Sequence, residues 1–146
     1  MAGSASRNDP LTSFNFIVDI QGMRAGFSEV GGLTTETDII EYRDGSEDIT
    51  VRKLPGKRKY TNINLKRGYT PDGRELWAWR KQVMDGKTQR MGGTITLLNE
   101  ERKPALTWEF SEGWPSKWAG PAFNAKNNDI AIEEMEICVE GLFLQT

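Results

Sequence analysis

The chain has 146 residues, of which 37% are hydrophobic, and a formal net charge of −2 at neutral pH. This balance provides no basic field that would attract nucleic acid. Because histidine is absent and Cys138 is the single cysteine, the sequence excludes Ser-His-Asp and Cys-His catalytic sites, as well as zinc sites built on histidine or on four cysteines.

The first half of the chain alternates apolar and polar residues with a period of two, which is typical of half-buried strands. We expect residues 1–11 to be flexible and strands at residues 14–20, 25–30 and 33–42, with Phe14 on the buried face of the first. A charged, turn-rich segment follows at residues 43–59. The next strand, residues 60–67, places Thr61, Ile63 and Leu65 on one face.

One stretch, about residues 73–85, has helical spacing. Leu76, Trp79 and Val83 recur on one side of it, Asp72 is a candidate N-cap, and Asp85 with the glycine after it ends the helix.

The remaining sequence again has strand periodicity, at residues 94–97, 106–110 and 129–144, with a Pro- and Gly-containing loop at residues 114–121. Within the last strand, Ile130 and Ile132 have one phase and Met135 and Ile137 the other, which predicts a β-bulge or a sharp bend at residues 133–134. The pattern predicts a mainly β single domain: an antiparallel β-sandwich or barrel of about seven to eight strands, with one short flanking α-helix.

Three predicted strands carry a polar second face. Such a face meets bulk water on an ordinary antiparallel sheet, or lines an aqueous channel built from several copies, and periodicity does not distinguish the two. These residues are the candidates for a channel lining: Asn62, Asn64, Lys66, Thr94, Thr96, Glu134, Glu136 and Glu140.

Residues 41–59 form an extended charged arm that is acidic at its start and basic afterwards. Long connections inside compact domains tend to be functional, and a bipolar arm could match a neighbour of opposite charge. Two tryptophans of the predicted loop are further interface candidates. The full set is Glu41, Arg43, Asp44, Glu47, Asp48, Arg52, Lys53, Lys57, Arg58, Trp114 and Trp118.

We expect no enzyme activity, no cofactor and no metal, because glycine-rich nucleotide fingerprints are absent and the 21 acidic residues show no distinctive pairing. The apolar runs are far shorter than the roughly 20 residues of a membrane-spanning helix. The polar N-terminus does not resemble a secretory signal, so we expect folding in the bacterial cytoplasm.

Nine short segments, in this order and spacing, resemble the phage tail-tube family, including the inner-tube proteins of extracellular contractile injection systems. The resemblance covers residues 14 to 143. The segments are residues 14–18 (FNFIV), 27–33 (FSEVGGL), 40–45 (IEYRDG), 53–56 (KLPG), 60–68 (YTNINLKRG), 76–79 (LWAW), 114–117 (WPSK), 120–125 (GPAFNA) and 131–133 (AIE).

The resemblance implies two packed antiparallel sheets with a flanking helix, and hexameric rings of identical subunits stacked into a tube with a lumen for cargo. It also implies a surrounding sheath protein, baseplate or spike and terminator proteins at the ends, and a phage tail or phage tail-like particle assembled in the cytoplasm. Two alternatives remain at this point: a tube-related baseplate or adaptor protein, and a β-sandwich binding module.

Overall fold

The computed structural model describes residues 9–21, 23–45 and 50–145. Most of the N-terminal segment that was expected to be flexible (residues 1–11) therefore lies outside the described residues. Within these ranges the chain forms ten strands and one helix: β1 (Phe16–Ile20), β2 (Met23–Ala25), β3 (Glu29–Gly31), β4 (Thr35–Tyr42), β5 (Arg52–Tyr60), β6 (Ile63–Gly68), α1 (Glu75–Met84), β7 (Met91–Leu98), β8 (Pro104–Ala119), β9 (Ile132–Cys138) and β10 (Gly141–Leu144).

Eight of the strands form two antiparallel sheets that share the 16-residue strand β8. In the first sheet the order is β2-β1-β7-β8-β10, and in the second it is β8-β9-β6-β3. The first part of β8 pairs with β7 and β10, whereas Trp114–Ala119 pairs with β9. Glu112, between these parts, has a positive φ of 52°. The prediction of a mainly antiparallel β fold with one short helix is confirmed.

The hydrophobic core lies between the two sheets. Burial of each large apolar side chain contributes roughly 1.5–3 kcal/mol, so this layer dominates stability. Both sheets and the helix contribute fully buried residues: Val18, Ile20, Ile95 and Phe110 from the first sheet, Ile63, Leu65, Met135 and Ile137 from the second, and Leu76 and Trp79 from α1.

The helix lies within the predicted range and buries Leu76 and Trp79, as the spacing indicates. Trp79 Nε1 donates a hydrogen bond to the carbonyl of Gln89 at 2.8 Å, which ties the helix to the segment that leads into β7. The predicted N-cap was wrong, because the helix begins after Arg74 and has no side-chain cap.

The charged arm is more regular than predicted, because Arg52–Tyr60 is a strand rather than part of a turn-rich segment. It pairs with β4 to form a separate two-stranded sheet, the β4–β5 ribbon. Pro55 lies in this strand opposite Ile39, beside a register shift between Thr37 and Ile39. A two-stranded ribbon consists of edge strands, where a missing N–H is tolerated.

The β-bulge predicted at residues 133–134 is absent, since β9 pairs with β6 in unbroken register from Ile132 to Ile137. The buried face of β9 continues through Glu133, whereas Ile130 and Ile132 are 76% and 41% exposed. Glu133 is buried in the same phase as Met135 and Ile137, where an apolar residue would be expected. The sequence therefore suggested a change of alternation that the strand does not have.

Several further boundaries differ from prediction. The predicted loop at residues 114–121 is largely strand, because β8 continues to Ala119. At the N-terminal side, Phe14 precedes β1 and is 79% exposed, and the strand predicted at residues 25–30 is divided into β2 and β3. Thr61, predicted on a buried face, is exposed and precedes β6.

Candidate functional site

The described residues contain no group of three or more His, Cys, Asp or Glu side chains that could hold a metal ion. No helix in the described ranges is long and apolar enough to cross a membrane. The candidate residues lie on the strands of the two sheets and along the β4–β5 ribbon.

The polar-face candidates separate into two groups on opposite sides of the domain. Asn64 and Lys66 lie opposite Glu136 and Glu134 on the second sheet. Thr96 of the first sheet lies opposite Thr107, with Oγ1 atoms 3.4 Å apart. Ile63 and Leu65 of the second sheet alternate with Asn64 and Lys66 and are buried, and Ile95 of the first sheet is buried between Thr94 and Thr96, so each polar group points away from the core.

Of the remaining candidates, Thr94 lies on the same face of β7 as Thr96, opposite Glu109. Asn62 is exposed just before β6, and Glu140 is exposed between β9 and β10. The structure thus brings together four of the eight candidates, on the second sheet, and separates the threonines from them.

Lys66 is the centre of a charge cluster on the outward face of the second sheet. Its Nζ lies 3.3 Å from Glu29 Oε2 and 3.6 Å from Glu134 Oε1. The hydrogen bond to Glu29 and the charges of both carboxylates raise the pKa of Lys66. Exposed pairs of this kind contribute little stability, so their main effect is to neutralise charge locally.

Sequence reasoning missed Glu29 and Lys117 as members of this face. Glu29 lies opposite Lys66 on β3, and Lys117 lies opposite Glu136 on β8. Neither could be found by periodicity, because cross-strand register is set by pairing between distant segments.

The charged-arm candidates lie along or beside the β4–β5 ribbon. Glu41 pairs with Lys53 across it, and Lys59 Nζ lies 2.9 Å from Asp38 Oδ1, so acidic and basic residues that are separated in sequence face each other. Arg52, Lys57 and Arg58 also lie in β5, Arg43 and Asp44 follow β4, and Glu47 and Asp48 lie outside the described residues.

The ribbon also exposes apolar side chains. Ile39 is 66% exposed, and Ile40 and Leu54, which are direct cross-strand partners, are 50% and 46% exposed. Tyr42 adds a half-exposed ring. Ile40, Leu54 and Tyr42 share one face of the ribbon, whereas Ile39 lies on the other face. Exposed apolar side chains rimmed by charges are typical of protein-interaction surfaces.

The two tryptophan candidates have different surroundings. Trp118 is half-buried; its Nε1 donates to Glu133 Oε2 at 3.0 Å and its ring lies 4.9 Å from that of Trp77. Trp114 lies opposite Cys138 in the second sheet. Trp118 is thus committed to contacts within its own chain, and an interface role for either residue stays a prediction.

The chain matches known tube proteins over almost its whole length. The family model of the T4-like virus tail tube protein gp19 matches residues 12–143. A comparison with curated proteins finds no significant match.

Solved structures agree with the family match. A chain of the PVC sheath-tube complex, an extracellular contractile injection system in its extended state, is 30% identical with a TM-score of 0.90, over 100% of this chain and 98% of that one. A chain of the anti-feeding prophage tube-terminating cap is 28% identical with a TM-score of 0.89, over 100% and 99%. A chain of the PVC sheath/tube terminator structure is 31% identical with a TM-score of 0.88, over 95% and 99%. The chain therefore belongs to the T4-like virus tail tube protein gp19 family.

Proposed function

We propose that this chain is the repeating subunit of the inner tube of a contractile injection system or phage tail, forming stacked homo-hexameric rings around a lumen that passes cargo. The single observation that carries the proposal is the full-length similarity, at 30% identity and a TM-score of 0.90, to a chain of a sheath-tube complex. On this proposal the subunit is not an enzyme, and its work is mechanical.

The strand edges of the isolated subunit support assembly. The first sheet ends in β2 on one side and β10 on the other, and the second ends in β3. Edge strands present unpaired backbone groups that would otherwise promote aggregation. Lateral pairing between copies covers these edges, and head-to-tail contacts of this type close into rings in one direction and extend into filaments in the other.

The ribbon supports contact between subunits. It forms a sheet of its own, outside the two packed sheets, and exposes both apolar and charged side chains. We assign it to a ring-to-ring or subunit-to-subunit contact. A sheath protein around the tube and baseplate, spike and terminator proteins at its ends complete the particle, which assembles in the bacterial cytoplasm.

Negative-stain electron microscopy of the purified protein across a concentration series tests the proposal. We expect rings and hollow stacked tubes with six-fold end views. A protein that stays monomeric at every concentration would contradict it and favour a β-sandwich binding module.

The similarity to a chain of a tube-terminating cap structure favours a second candidate, a tube-related adaptor at one end of the particle. An adaptor forms single rings that do not stack at any concentration, so the same micrographs distinguish it from a tube subunit.

A further inference from the structure

The hydrophobic core is open at one edge of the domain. Beside β3, the layer between the two sheets ends in a groove of about 660 Å³. Both sheets contribute half-buried apolar side chains that line the groove and pack against the core; they are Phe16, Phe27, Val30, Leu33 and Trp108. Glu29 is the one charged side chain among the described residues of the lining. A groove of this composition suits an apolar side chain.

The same chain carries an aromatic side chain that its own fold leaves uncovered. Phe123, in the connection between β8 and β9, is 89% exposed. Hydrogen bonds fix this connection near the phenyl ring and at its end. The backbone N–H of Lys126 donates to Asn124 Oδ1 at 3.0 Å, and that of Tyr69 donates to the carbonyl of Ala131 at 2.8 Å. An aromatic side chain held outward in this way is typical of an anchor in a protein contact.

The strand register places this connection level with the groove of a neighbouring copy. Ala119, at the end of β8, lies opposite Glu134. Glu134 lies opposite Lys66, and Lys66 lies opposite Glu29 at the start of β3, so the four residues form one row across the second sheet. In the described ranges β7 pairs with β8 only as far as Gly113, so the last part of β8 and strand β3 are the two edges of this sheet. When these edges of two copies lie side by side, Ala119 of one copy lies at about the level of the first β3 residues of the next.

We propose, resting on the proposed tube function, that Phe123 of each subunit inserts into the apolar groove beside β3 of the next subunit in the same ring. Phe123 follows Ala119 by four residues, which span at most about 13–14 Å. Neighbouring strands are about 5 Å apart, so the phenyl side chain reaches the groove when the two edges are adjacent. Because the side chain and the groove lie on different parts of the subunit, the contact is head-to-tail and closes into a ring.

Disulfide cross-linking tests this contact. In a Cys138→Ser background, Phe123→Cys is combined with Ser28→Cys, because Ser28 lines the groove and is exposed. Oxidised assemblies are then separated on a denaturing gel without reductant. We expect a ladder of covalent multimers that ends at six copies, since each subunit is linked to the next around one ring. Each single-cysteine variant should give nothing larger than a dimer. The control pair, Phe143→Cys with Ser28→Cys, uses an exposed phenylalanine of β10 and should give no ladder.

The other outcomes overturn the proposal in distinguishable ways. Rings that form without the cross-link between positions 123 and 28 would refute the insertion of Phe123 and leave the tube function intact. A ladder that continues beyond six copies would place the contact between rings. A ladder from Ile40→Cys with Ser28→Cys, in place of the expected pair, would show that the β4–β5 ribbon of another copy fills the groove. If the Cys138→Ser parent forms no rings in micrographs taken before oxidation, the proposed function fails and this contact fails with it.

A second measurement removes the side chain itself. We expect Phe123→Ala to leave the stability of the unassembled subunit unchanged, because the side chain is exposed there. The protein concentration needed for half-maximal ring assembly should rise at least about tenfold, as for the loss of an aromatic anchor. Phe123→Leu keeps a large apolar side chain and should restore most of the assembly. An unchanged assembly concentration for Phe123→Ala would contradict the insertion.

Discussion

Arg67 and Glu133 form an ion pair inside the domain, where their side chains are 8% and 0% exposed. Arg67 Nη2 also donates to Glu75 Oε2 at 3.0 Å, and Trp118 Nε1 donates to the other oxygen of Glu133. The guanidinium lies 5.9 Å from the centre of the Phe27 ring. The buried charges are therefore satisfied by one another and by an indole, which joins β6, β8, β9 and α1.

Removal of one partner from this network leaves a buried charge without compensation. We predict that Arg67→Met lowers the free energy of unfolding by about 3–5 kcal/mol. Lys66→Met, on the same strand but with a 40% exposed side chain, is the matched control and should change stability little. Urea denaturation of the unassembled subunit measures both, and equal losses would contradict a special role for the buried pair.

Glu75 makes the same network sensitive to acid. A hydrogen bond from its own backbone N–H and a second from Arg67 lower the pKa of this carboxyl below its ordinary value. A carboxylate whose pKa is depressed by folding stabilises the folded state above its unfolded pKa, and this contribution is lost as pH falls through the folded value. We predict that Glu75→Gln reduces stability at neutral pH and removes part of the fall in stability below about pH 4.5. Thermal unfolding from pH 7 to pH 3 checks this, with Glu101→Gln, an exposed turn residue, as control.

At the scale of elements, Gly32 connects the second sheet to the β4–β5 ribbon. Its φ is +85°, and a Cβ placed there would clash with the carbonyl oxygen of Asn62. The adjacent Gly31 has open space around its Cβ position. We predict that Gly32→Ala destabilises the domain by at least about 1 kcal/mol, whereas Gly31→Ala is close to neutral. Comparison of the two urea midpoints tests the junction.

The charge pattern of the ribbon leads to a separate prediction. Exchange of the cross-strand partners, Glu41→Lys together with Lys53→Glu, preserves their pairing within the ribbon but reverses the charges presented to a neighbour. We expect the subunit's stability to stay within about 0.5 kcal/mol, as for most surface substitutions. Tube assembly should require a higher protein concentration, because like charges now meet across the contact. Sedimentation of assembled protein against concentration measures this, and unchanged assembly would argue against a contact at these residues.

At the scale of the whole molecule, we expect the charges around Lys66 on the outward face of the second sheet to control which proteins an assembled tube retains, because this face holds four of the lumen candidates. This face carries three carboxylates and two ammonium groups, those of Glu29, Glu134, Glu136, Lys66 and Lys117. Lys66→Gln would therefore change its net charge from −1 to −2 per subunit, and Glu29 and Glu134 would lose their shared cation. We predict that tubes of this variant co-sediment with a small basic protein at low salt and release it as salt screens the charges. Lys103→Gln removes the same charge from the turn between β7 and β8 and should not cause retention. Equal retention by both variants would place the effect outside the lumen.

The element types were largely readable from the sequence because they depend on local periodicity. The helix at Glu75–Met84 and the strand at Ile63–Gly68 follow their apolar spacing closely. Prediction failed where a long-range partner changed the pattern. Glu133 occupies an apolar position because Arg67 neutralises it, and Arg52–Tyr60 is a strand because β4 pairs with it rather than because its own residues favour strands.

The sequence by itself determined the antiparallel β class, the single helix and the resemblance to the tail-tube family, because local alternation and short motifs are properties of neighbouring residues. Only the tertiary structure decided that β8 serves both sheets and that the eight channel-lining candidates do not form one surface, with threonines on one side of the domain and Asn64, Lys66, Glu134 and Glu136 on the other. Alternation reports that a side chain points away from the core, but the side of the molecule on which it lies depends on how distant strands pair and pack.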